Sequence, residues 1–102
     1  MRVYVAGPYS GGDVALNVRR AILAGETLLA RGHSPYIPHL THFWQLLTPH
    51  AYEVWLEQDR VWLEQCEAVL RLPGESPGSD REVAMAHLLG IPVYYSLVEI
   101  GG

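Results

Sequence analysis

Two acidic residues stand out by their positions. Trp55, Asp59, Trp62 and Cys66 are spaced four, three and four. At 3.6 residues per turn they share one stripe of a helix, flanked by Leu56 and Leu63. A carboxylate on an apolar face must be paired, protonated or set at a wet cleft, because an unpartnered buried charge is costly. The chemistry open to Asp59 is general acid catalysis near neutral pH, with Trp55 and Trp62 raising its pKa by desolvation. The purely structural alternative is an Asp at the rim of the stripe, paired with Arg60 or another arginine.

Glu82 is the second candidate. Ser79-Asp80-Arg81-Glu82 reads as a capping box, in which the glutamate bonds back to the cap's N–H. The functional alternative sets Glu82 at the carboxyl edge of a sheet, facing Asp59. Two carboxylates about 5 Å apart suit nucleophilic glycosyl chemistry with retention. Tyr4, inside an apolar strand, needs a partner for its hydroxyl, either a carboxylate or a backbone carbonyl.

Other signals are weaker alone. Ser76-Pro77-Gly78-Ser79 precedes a helix, whose N-terminus and dipole favour an anion or phosphate. It matches neither a P-loop nor GxGxxG. Gly7-Pro8-Tyr9-Ser10-Gly11-Gly12 can wrap a ligand or merely turn the chain. His39, His42 and His50 raise the question of zinc, but His39 and His42 lie in a loop without an evident third ligand. Trp44 and Phe43 beside them can stack on a base or sugar, or pack the loop down. Cys66 reads as inert at a helix end.

The elements that must position these residues alternate. Residues 2–6 form a strand ended by Gly7-Pro8, and 13–31 a helix capped by Asp13 and stopped by Gly32. Residues 34–38 form a second strand, His39 to Thr48 a loop, and Thr48-Pro49 opens a helix to about Gln65. Residues 67–72 form a third strand. Pro73 to Gly78 is a loop, Ser79 or Asp80 starts a helix ended by Gly90, and 91–97 form a fourth strand. This order predicts a single α/β domain over 1–102, with a parallel sheet of four to five strands covered by helices on both faces. Ligands in such sheets bind beyond the carboxyl ends of the strands. The segments Gly7–Gly12, His39–Trp44 and Pro73–Asp80 converge there.

Composition narrows the partners. The 102 residues are 49% hydrophobic and 18% charged, which is globular. The formal net charge is -4, and every one of the seven Lys+Arg residues is arginine. An acidic chain without a basic cluster is a poor binder of nucleic-acid polymers or membrane surfaces. A lone cysteine fits a reducing, cytoplasmic compartment. A small core with three Trp and six Tyr to cover favours a homo-oligomer.

Three segments together resemble the nucleoside 2-deoxyribosyltransferase superfamily, and most nearly its 2'-deoxynucleoside 5'-phosphate N-hydrolases. They are Tyr4-Val5-Ala6-Gly7-Pro8-Tyr9, the run from Glu57 to Val69 containing Asp59-Arg60-Val61-Trp62-Leu63, and Ser76-Pro77-Gly78-Ser79-Asp80-Arg81-Glu82. The resemblance implies a flavodoxin-like or Rossmann-like three-layer sandwich that assembles as a dimer or larger oligomer. It implies Glu82 as the nucleophile at the anomeric carbon, Asp59 as the group that handles the leaving base, and Tyr4 as the hydrogen-bond partner of the nucleophile. It also implies that Ser76 and Gly78 hold a 5'-phosphate. Asp80 and Arg81 stand where the hydrolases carry small and aromatic residues. The substrate expected is a nucleoside or nucleotide, contacted also by Gly7, Pro8, Tyr9, Ser10, His39, His42, Trp44 and Ser79. No metal or organic cofactor is needed by this chemistry. The alternative on the same fold is a non-catalytic nucleotide-binding module.

Overall fold

The computed structural model describes residues 1–101. Four strands among them, β1 (Arg2–Ala6), β2 (Ser34–Tyr36), β3 (Ala68–Arg71) and β4 (Val93–Tyr94), form one parallel sheet in the order β2-β1-β3-β4. The helices are α1 (Val14–Ala30), α2 (Thr41–Leu47), α3 (Tyr52–Leu63), α4 (Pro77–Leu88) and α5 (Leu97–Ile100). This is the expected flavodoxin-like arrangement. The chain order reverses between β1 and β3, the switch point beyond whose carboxyl ends ligands bind in such sheets.

Strand alternation divides the core in two. Val3 and Val5 face α1, where they pack with Ala21, Ala24, Leu28, Leu70 and Ile100. Tyr4 and Ala6 face the opposite layer, with Leu63, Cys66, Val69 and Ala86. Parity on one five-residue strand therefore sends Tyr4 toward α3 and α4. The register sets Tyr4 beside Tyr36 of β2, and the two rings stack with centroids 5.5 Å apart.

α1 starts as expected. Asp13 accepts a hydrogen bond from the Leu16 N–H at 3.1 Å, and Gly32 takes a positive φ of 86° beyond its end. Four boundaries differ from the sequence reading. The segment expected as a loop from His39 is helical, a 3-10 turn over Pro38–Leu40 running into α2. It hid because α2 buries none of its residues, so Phe43, Trp44, Leu46 and Leu47 carry no inward-facing period. Thr48 does not open α3. Its N–H bonds back to the Trp44 carbonyl at 2.8 Å as the end of α2, and α3 begins at Tyr52 after Ala51. The helix expected from Ser79 or Asp80 starts at Pro77, capped by Ser76. The fourth strand is only Val93–Tyr94, and Leu97 already belongs to α5.

Candidate active site

The loops leaving β1 and β3 are pinned before any ligand arrives. Asn17 of α1 is buried, and its amide donates to the carbonyls of Tyr9 (2.9 Å) and Gly11 (2.7 Å). Arg71, at the end of β3, is buried and donates to the carbonyls of Leu72 and Gly74 and to the Asp80 carboxylate, the last at 3.2 Å. Asp80 is thus occupied in holding its own loop. The two loops touch at Gly74. Its φ is +115°, and a Cβ there would lie 2.8 Å from Cγ of Pro8, so a side chain is excluded by both backbone and space.

Between these loops and α3 lies a cavity of about 730 Å³, a size suited to a small molecule. Asp59, Glu82 and Tyr4 all line it. Because Ser76 is the cap, its Oγ accepts from the Ser79 N–H at 3.1 Å. That moves Glu82 past the first turn of α4 and out of any capping box. Its carboxylate instead accepts the Tyr4 hydroxyl. Burial pushes the Glu82 pKa up to about 7. The Tyr4 bond opposes that rise, the Asp59 charge adds to it, and Arg71 and Arg81 oppose it. Burial also pushes Tyr4 far up, helped by both carboxylates, so its phenol stays protonated and donates.

Asp59 is not neutralised by its neighbour. Arg60 turns away to Glu57, at 2.5 Å, and to Glu64. Burial lifts the Asp59 pKa to about 6, against a hydrogen bond from the Tyr36 hydroxyl at 3.3 Å. The two acids therefore face one cavity, each held by one phenol, and Asp59 is close enough to raise Glu82. Burial of both groups, with the Asp59 charge adding to the rise of Glu82, keeps one proton on the pair near neutral pH. With Glu82 raised further than Asp59, that proton rests mainly on Glu82 while no ligand is present.

The remaining sequence candidates divide. Gly7, Pro8, Tyr9, Ser10, His39, Ser76, Gly78 and Ser79 line the cavity. His42 and Trp44, expected at the ligand, stand behind the lining. His42 Nδ1 lies 2.7 Å from the Tyr9 hydroxyl, and Trp44 packs edge-on against Trp55 with centroids 5.1 Å apart. Both pack against residues of the cavity wall from their places on α2. His39 Nε2 lies 3.1 Å from the carbonyls of both Gly7 and Pro8. Both are acceptors, so Nε2 carries the proton and is not a metal-ligating lone pair. Burial lowers the His39 pKa, which keeps the ring neutral. Among the described residues no group of three His, Cys, Asp or Glu side chains is set to hold a metal.

Some lining residues were not expected to contact a ligand. Gln45, His50, Tyr52 and Arg81 belong to the cavity wall. The Gln45 amide oxygen accepts from Trp55 Nε1 at 2.6 Å and from the His50 N–H at 2.9 Å, tying α2 to α3. Arg81 donates to the Tyr52 hydroxyl at 2.9 Å, bridging α4 and α3. In the sequence His50 reads only as a possible zinc ligand and Arg81 only as part of the Ser76–Glu82 segment, while no local pattern announces Gln45 or Tyr52, whose partners are supplied by folding. Tyr36 was read only as part of a strand.

A solved structure of a 2-deoxyribosyltransferase from the psychrotolerant bacterium Bacillus psychrosaccharolyticus has the same fold. The TM-score is 0.68 at 16% identity, covering 91% of this chain and 69% of that one. The architecture is thus a flavodoxin-like α/β fold that this chain shares with that enzyme. The family profile for the domain of unknown function DUF7768 matches residues 1–96, and the chain belongs to that family. No curated protein matches the sequence significantly. Among the described residues no helix is long and apolar enough to cross a membrane.

Proposed function

We propose that the protein breaks the N-glycosidic bond of a (deoxy)nucleoside or its 5'-monophosphate by way of a glycosyl ester on Glu82. The observation that carries this reading is the pair of cavity-facing acids, Glu82 held by Tyr4 and Asp59 held by Tyr36. The likeness of the fold to a 2-deoxyribosyltransferase supports it.

Substrate binding shifts the shared proton from Glu82 to Asp59, and in the first step one ionised Glu82 oxygen attacks the anomeric carbon as the bond to the base breaks. Tyr4 holds the Oε2 oxygen and spreads its charge. The electron pair leaves with the base nitrogen, which takes the proton of Asp59. In the second step Asp59, now ionised, removes a proton from water or from an acceptor base. That nucleophile attacks the same carbon and Glu82 departs as carboxylate. Two inversions give retention. Water as acceptor makes a hydrolase, and a second base makes a transferase.

Ser76, Gly78 and Ser79 sit at the start of α4, where a 5'-phosphate is favoured by the helix dipole. Exposed apolar side chains on α2 and at the start of α3, including Phe43, Leu46, Leu47 and Val54, suit a homo-oligomer. Light scattering reads that state directly.

The activity is tested by incubating the protein with deoxynucleosides and their 5'-monophosphates, with and without acceptor bases, and separating the products. Release or exchange of a base, abolished by Glu82→Ala, is expected. Tight binding without base release, unchanged by Glu82→Ala, would make the protein a nucleotide-binding module instead.

A further inference from the structure

The cavity acids are served by an aromatic stack that the sequence reading did not use. Tyr36 lies between Tyr4, at 5.5 Å and 28° between planes, and Trp62, at 5.6 Å and 18°. Strand register fixes the first contact, since Tyr4 and Tyr36 are direct partners on neighbouring parallel strands. Trp62 comes from α3, one turn beyond Asp59. The ring of Tyr36 is therefore packed by both neighbours, and its hydroxyl projects in the ring plane, out from the edge of the stack. There it donates to Oδ1 of Asp59 at 3.3 Å. Tyr36 is not part of the cavity wall, so a ligand meets Asp59 and not the phenol behind it.

We propose that Tyr36 is the positioning residue of Asp59. It fixes one carboxyl oxygen from behind, leaves the other to the ligand, and sets the pH at which this acid gives up its proton. The acid role of Asp59 rests on the function proposed above, but the hydrogen bond and its effect on titration do not. The two phenols divide the labour. Tyr4 holds the acid on α4, and Tyr36 holds the acid on α3.

The charged and titratable groups around the pair are Tyr4 from β1, Arg71 from β3, Glu82 and Arg81 from α4, and Cys66 beyond α3. Arg60 on α3 is held by Glu57 and Glu64. No cation touches the Asp59 carboxylate among the described salt bridges, so Tyr36 is the group that favours its ionised form. Burial and the Asp59 charge push the Tyr36 phenol well up, which keeps it a donor through the neutral range.

The test is a carboxyl-carbon NMR titration of Asp59 in the wild type and in Tyr36→Phe, which keeps the stacked ring and deletes only the donor. The Asp59 midpoint is expected to rise by on the order of one pH unit. If turnover is present, the alkaline limb of its pH profile should move up in step. An unmoved Asp59 midpoint overturns the proposal, whatever the activity, because a merely structural ring would change melting temperature and not this titration. Asp59→Asn supplies the reciprocal reading should Tyr36→Phe prove unstable. Its Tyr36 phenol should titrate closer to an ordinary tyrosine, and an unchanged phenol would equally contradict the pairing. Failure of base release with both shifts present would count against the proposed function alone.

Discussion

The phenol of Tyr4 donates to the carboxylate of Glu82 across 78 positions of sequence, from the central strand to the helix that follows the third. Tyr4 is fully buried, so this bond reaches out of the core into the cavity. Removing it separates the support of the nucleophile from the nucleophile itself. Tyr4→Phe leaves the core ring in place and should raise the Glu82 pKa further. Turnover at neutral pH should drop by about 10- to 100-fold, consistent with loss of one hydrogen bond to a charged group. Steady-state kinetics against pH checks this, and the acid limb should shift upward.

Glu82→Gln keeps the shape and removes the nucleophile. Base release should fall by at least about 1,000-fold, with substrate affinity changed much less. Single-turnover kinetics and calorimetric binding on the same sample separate the two effects.

The acid pair also governs stability. Both pKa values are raised in the folded protein, Asp59 from 3.8 to about 6 and Glu82 from 4.5 to about 7. A raised acid pKa means the folded state holds more protons than the unfolded chain between those limits. Stability from these groups therefore falls as pH rises from about 4 to about 7. Melting curves across that window should show the decline, and Asp59→Asn combined with Glu82→Gln should flatten it.

The meeting of the two loops at Gly74 predicts a position intolerant of any side chain. Gly74→Ala must adopt a φ of +115° and crowd Pro8. A loss of about 1–3 kcal/mol is expected, measured by urea unfolding. Gly12, also at positive φ but with open space around its Cβ, is the control and should lose less.

Much of this was legible in the chain, for reasons specific to each residue. Alternation in residues 2–6 puts Tyr4 on the opposite face from Val3 and Val5, and the four-three-four spacing puts Asp59 on the inward stripe of its helix. The capping hydroxyl was misplaced by three residues. Ser76 and Ser79 are both plausible caps, and only the bonds made by Ser76 decide between them. That shift is what frees Glu82. The helical character of α2 was hidden because it packs on its surroundings without burying a residue. Tyr36 and Arg71 escaped notice because their partners, Asp59 and Asp80, are chosen by tertiary contact rather than by spacing.

The claim that Glu82 becomes covalently glycosylated is tested most directly by intact-protein and peptide mass spectrometry with a 2'-fluoro nucleoside, whose electron-withdrawing substituent slows turnover of a glycosyl ester. A mass increase equal to the fluorinated sugar, mapped to Glu82 and absent in Glu82→Gln, is the predicted result. Base release from a natural substrate with no adduct on Glu82 under these conditions, and with activity retained in Glu82→Gln, would contradict it.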